Sequence, residues 1–143
     1  MDLRKFFLGT EEFKSPEEII ELIRTSAEFD TQREDTTSAE ALLIFQTSKQ
    51  QTWLVATRAR LYCVLDDLNK SFTRVQWSIP ADSLVADDKI AVEISARDKS
   101  ERTGLLNVGK RRNWLFSKKL FPIDGPDARV KEMIRRQMTP SLA

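Results

Sequence analysis

The chain reads as mainly β with flanking helices: about seven short antiparallel strands between residues 40 and 120, a C-terminal helix covering one end of them, and an amphipathic helix ahead of them. Three observations carry this reading. The hydrophobic period is helical up to Phe29, becomes strand-like after Ala39, and stays so for about eighty residues. The strand-like runs follow one another too closely for crossover helices, which restricts them to antiparallel meanders. A helical stripe returns only after Pro126.

In order along the chain, Ser15-Pro16-Glu17-Glu18 is a helix start, with Ser15 able to cap, Pro16 suited to the first helical position and Glu18 able to close a capping box. Ile19, Ile20, Ile23 and Ala27 follow at helical spacing and Leu22 widens the stripe, so Pro16 to about Phe29 is expected to be an amphipathic helix. Residues 2–8 suit a further short helical turn, and 30–38 are polar enough for a linker. Residues 1–38 are thus expected as an N-terminal helical segment with linker, and 39–143 as the β domain.

Strand-like runs then cover 41–47, 52–57 and 61–65, the last alternating Leu61, Cys63 and Leu65 against Tyr62 and Val64. Over 74–79 the pattern places Val75, Trp77 and Ile79 on one face. Ile90, Val92, Ile94 and Ala96 repeat it, followed by 103–108 and 113–119, with turn-forming clusters at the breaks. From 126 to 138, Val130, Met133, Ile134 and Met138 form one stripe, and Arg135 and Arg136 suit the negative end of the helix dipole.

Composition excludes much chemistry. With 143 residues the chain is long enough for one domain of ordinary core size. It has no His and one Cys, Cys63, which removes His-dependent catalysis, Cys/His zinc sites and any intramolecular disulfide. The longest apolar runs, 41–45 and 61–65, are five residues each, against roughly twenty for a membrane-spanning helix. Met-Asp-Leu-Arg-Lys-Phe-Phe-Leu meets Gly9, Thr10, Glu11 and Glu12 before an apolar signal core develops. The expectation is a soluble, cytoplasmic protein with a reduced Cys63.

The formal net charge of +1 hides an asymmetry: residues 1–38 carry five basic and ten acidic side chains, net −5, and the remainder is net +6. Arg97 to Lys119 holds eight of the basic residues and two acidic ones.

The element order and the stretch Thr52-Trp53-Leu54-Val55-Ala56-Thr57-Arg58-Ala59-Arg60-Leu61-Tyr62 resemble the pleckstrin-homology (PH)-like barrel, specifically the second-to-third strand hairpin of bacterial PH and GRAM-type domains, where an apolar strand ends in Thr-x-x-Arg-Leu. The resemblance covers about residues 40–138. It implies two nearly orthogonal sheets with an open end plugged by the final helix, and a binding scaffold for anionic headgroups or peptides, without enzymatic activity. Phosphoinositide-binding members of that family place several basic residues on the first hairpin; here Thr47-Ser48-Lys49-Gln50-Gln51 supplies one Lys, a departure from that site.

Two motifs point to chemistry and are outweighed. Gly104-Leu105-Leu106-Asn107-Val108-Gly109-Lys110 matches Gly-x₄-Gly-Lys of a phosphate-binding loop, but Arg111 stands where Ser or Thr must hold magnesium, and strand follows where a helix is required. Asp66-Asp67 and Asp87-Asp88 fall in turns, where Asp serves the backbone. Trp53 and Trp77 are expected in the core. The ligand candidates are Lys110, Arg111, Arg112, Lys118 and Lys119, which with Trp114 suit phosphates, against the plainer reading of a solvated hairpin with Trp114 in the core. The interaction helix is Ile19, Ile20, Leu22 and Ile23, expected to dock on its own barrel or on a second copy. No catalytic residues, cofactor or metal are expected. A PH-like binding or assembly module with a protein partner or itself comes first. A peripheral membrane module on anionic lipid and an RNA-binding accessory protein are the alternatives, nucleic acid being the less favoured partner.

Overall fold

The computed structural model describes residues 12–26, 29, 39–70, 72–86, 89–90, 92–96, 103–108, 112–117 and 126–142. Helix α1, Pro16–Ile23, begins as its sequence dictates: the Ser15 hydroxyl accepts from the Glu18 amide at 3.2 Å, and the Glu18 carboxylate accepts from the Ser15 amide at 3.0 Å. It stops at Ile23 instead of near Phe29. The amides of Thr25 and Ser26 turn back to the carbonyls of Leu22 and Ile23, three residues away, and the Thr25 hydroxyl donates to Leu22 O at 2.6 Å, which tightens the last turn and ends it. Ala27 and residues 2–8 and 30–38 lie outside the described residues.

Strands β1 (Glu40–Gln46), β2 (Gln50–Ala56), β3 (Arg60–Asp67) and β4 (Phe72–Pro80) form one antiparallel meander in that order. Its first two turns share a device. Thr47 and Thr57 each donate a backbone amide across the turn, to Gln50 O at 2.8 Å and Arg60 O at 3.0 Å. Their hydroxyls accept the amides two and three residues on, Lys49 and Gln50 in one case, Ala59 and Arg60 in the other. Thr-x-x-Arg-Leu at 57–61 is therefore a hydroxyl-braced hairpin turn.

Both faces of this sheet are buried. Ile44, Phe45, Leu54, Ala56, Leu61, Cys63, Trp77 and Ile79 pack on one side with α2, Pro126–Leu142; Trp53, Val55, Tyr62 and Val64 pack on the other with Ile19 and Ile23 of α1. The unbroken apolar runs at 53–56 and 61–65 are the signature of strands covered twice.

Two bulges decide which side chain faces which helix. In β1 the register passes from Leu43 opposite Trp53 to Phe45 opposite Thr52, so Ile44 is the extra residue and both Ile44 and Phe45 face α2. In β4 it passes from Trp77 opposite Cys63 to Val75 opposite Val64, so Gln76 is extra. This corrects the expected single face of Val75, Trp77 and Ile79: Val75 packs against the α1 side, Trp77 and Ile79 against the α2 side.

Beyond a 3-10 turn, Ala81–Leu84, lie β5 (Val85–Ala86), β6 (Lys89–Ile90), β7 (Val92–Ala96), β8 (Thr103–Val108) and β9 (Arg112–Ser117). The expected strand regions are β, but not as seven strands of one closed barrel: the expected run Ile90, Val92, Ile94 and Ala96 divides between β6 and β7, β5 falls where a turn was expected, and among the described residues the ladders are separate sheets of four, two and three strands. The 3-10 turn Ala81–Leu84 separates the first ladder from the second, and β6 pairs back on β5 whereas β7 pairs forward with β8, so each ladder is a local antiparallel pairing of its own.

Helix α2 extends to Leu142, four residues past the expected end. Val130, Met133, Ile134 and Met138 are all buried in the core it shares with the sheet, and α2 touches β1, β2, the 3-10 turn and β7. Because the helix continues, Arg136 does not sit in its last turn. Its guanidinium bonds Glu40 of β1 through Nε at 3.2 Å and Glu132 one turn back at 2.9 Å.

Candidate functional site

The interaction helix predicted from its stripe docks on the sheet of its own chain. Ile19 and Ile23 are fully buried on Trp53, Val55, Tyr62 and Val64, and Ile20 and Leu22 are half-buried beside them. Each fully buried Ile contributes about 1.5–3 kcal/mol, enough to hold two turns of helix that would be marginal alone in water. The opposite, acidic face with Glu17, Glu18 and Glu21 stays exposed.

A second tie comes from Asp66 and Asp67, only 3% and 2% exposed at the end of β3. Asp66 accepts the Lys14 backbone amide at 2.8 Å and the Thr73 hydroxyl at 2.9 Å, pinning the approach to α1. Asp67 accepts the Gln50 side-chain amide at 2.9 Å and the amides of Asn69 at 2.8 Å and Lys70 at 3.2 Å, closing the β3–β4 turn. The pair ends β3 and does not lie in the turn the sequence suggests, and its oxygens accept from three backbone amides and two side chains. Sequence reasoning did not find Lys14 and Gln50 as partners, because Gln50 meets Asp67 only through cross-strand register and Lys14 meets Asp66 only through the docking of the α1 segment on the sheet.

Burial pushes the Asp67 carboxyl up, but the Gln50 amide, the Lys70 and Asn69 backbone amides and the Lys70 charge outweigh it and hold the pKa below the ordinary 3.8. Its stabilisation is therefore complete above the unfolded pKa and is lost as pH falls through the lower folded value. Asp67→Asn, which keeps one oxygen for the two backbone donors but sets its NH2 against the Gln50 side-chain amide and removes the charge, is expected to cost about 1 kcal/mol at neutral pH. Urea melts of wild type and variant should converge as the pH drops below about 4; a gap unchanged in acid would contradict the assignment.

Two grooves flank the sheet's outer strands, each of which pairs with one neighbour among the described residues. One, of about 380 Å³, lies between β1 and α2 and is lined by Glu40, Ala41, Leu42, Arg129, Glu132, Met133 and Arg136. The other, of about 340 Å³, lies between the end of α1 and β4, with Leu22, Thr25 and Thr73 to Trp77 on its walls. Arg74 stands over the Phe72 ring at 4.7 Å along that edge.

The basic candidates Lys110, Arg111, Lys118 and Lys119 lie outside the described residues, and of Arg112 the backbone alone is placed, opposite Val108 at the start of β9. Gly104 to Val108 belong to β8, which pairs antiparallel with β9, so Arg112–Ser117 is strand where a phosphate-binding loop requires a helix. Trp53 and Trp77 are core residues at 6% and 4% exposure. Among the described residues no helix is long and apolar enough to cross a membrane. No family model matches this chain, and neither curated proteins nor solved structures give a match.

Proposed function

We propose that this chain is a non-enzymatic PH-like binding and assembly module that recognises protein, including copies of itself. In this reading β1–β4 and β7–β9 are the two sheets of an orthogonal sandwich and α2 closes its open corner. The observation that carries it is the position of α2, whose buried stripe shares the core of the first sheet while the same helix meets β7 of the three-stranded one. Two further features support a partner of protein chemistry. The outer strands β1 and β4 each run beside an open groove, and α1 satisfies its apolar stripe in its own chain while leaving a charged face in water. The two buried carboxylates, tied up as turn and tether, offer no acid–base pair.

Light scattering on the size-exclusion eluate, from dilute to concentrated solution, should show a mass that grows with concentration. Co-sedimentation with vesicles of anionic lipid tests the competing membrane reading. No pelleting is expected; pelleting that fades in high salt and is lost in the Arg111→Glu/Arg112→Glu variant would replace the protein-binding reading with a membrane one.

A further inference from the structure

Helices α1 and α2 cover opposite faces of one sheet, and their outward sides differ in sign. Around α1 the exposed carboxylates are Glu12, Glu17, Glu18 and Glu21, against an exposed Arg24 held by Glu21 at 3.2 Å and a half-buried Lys14. Along α2 the exposed cations are Arg129, Arg135 and Arg136, with a half-buried Lys131, against an exposed Glu132 and a half-buried Asp127. Glu17 on one helix and Arg129 on the other have no ion-pair or hydrogen-bond partner among the described residues. Residues 1–38 as a whole are polarised in the same sense as α1, at −5; the +6 of the remainder is carried by residues 97–119.

We propose that copies of this chain associate head to tail, the acidic outer face of α1 in one copy against the basic outer face of α2 in the next. This rests on the assembly-module reading and names its partner. A two-fold contact through α1 would set carboxylate on carboxylate, and one through α2 would set guanidinium on guanidinium, so both are disfavoured by like-charge contact. Because the two faces lie on opposite sides of one sheet, a copy joined through its α1 keeps its own α2 available. The contact therefore propagates into a ring or a filament, and because its charges are solvent-exposed it weakens steeply with salt.

The test uses two charge-reversed variants of the full chain. Glu17→Lys/Glu21→Lys reverses the acidic face and spares the Glu18 cap; Arg129→Glu/Arg135→Glu reverses the basic face and spares the Arg136 bridge. Sedimentation velocity at low salt, on variants with wild-type Tm, is the readout. Wild type should form concentration-dependent species that dissociate in high salt, and each variant alone should associate at least about tenfold more weakly. An equimolar mixture of the two should associate again, with the two variants alternating, because both the native pair of faces and the charge-swapped pair are complementary between unlike chains. The chain carrying all four substitutions should associate again. Wild type that assembles while both variants assemble equally well would overturn the head-to-tail contact and leave the assembly reading standing. A wild type that is monomeric at every concentration in low salt would overturn both.

Discussion

Ile134→Asp is expected to abolish stable folding of the α2-covered core. Ile134 is fully buried among Val130, Met133 and Met138 of its own helix and the Leu54, Leu61 and Trp77 side of the sheet. Losing the apolar burial removes about 2–3 kcal/mol, and placing a carboxyl group in that core adds a desolvation cost, for a total of about 4–5 kcal/mol or more. That is a large part of the margin of an ordinary domain. The control is Ile134→Val, which should cost about 1 kcal/mol. Thermal melts followed by circular dichroism decide it, and a near-wild-type Tm for Ile134→Asp would mean that α2 does not hold the core shut.

Ile23→Glu should act on a different unit. Ile23 sits on Trp53, Val55, Tyr62 and Val64, and α1 brings two turns of helix and two fully buried side chains to that contact. A carboxylate there costs about 3 kcal/mol, comparable with the whole docking energy of so short a helix, so α1 is expected to leave the sheet before the sheet itself unfolds. Hydrogen exchange should quicken over 15–26 and on the Trp53 and Tyr62 side of β2 and β3, while the amides of α2 keep their protection. Unchanged exchange over α1, or equal loss over α2, would show that the two helices do not cover independent faces.

Much of the local structure was legible because its causes are local. Ser15-Pro16-Glu17-Glu18 starts a helix through bonds that span three residues, and Thr47 and Thr57 turn the chain through hydroxyls reaching two and three residues ahead. The stripe Val130, Met133, Ile134 and Met138 lies on one side of α2 because helical geometry places it there, whatever it packs against.

The side of the sheet to which each residue belongs was decided elsewhere. Spacing of two predicts a common face for Val75 and Trp77, yet Gln76 bulges out of register against Cys63 and Val64 and reverses the parity, a choice made by the strand opposite. The runs at 53–56 and 61–65 are apolar on every residue, so alternation could not tell a sheet with one core face from a sheet covered by two helices. Capping, turn formation and helical stripes depend on residues within about a turn of each other, and the amino-acid sequence alone determined them. The bulges, the placing of α1 and α2 on opposite faces, the tether from Lys14 to Asp66 and the division into separate ladders depend on partners tens of residues away, and only tertiary packing chose among arrangements that satisfy the local pattern equally.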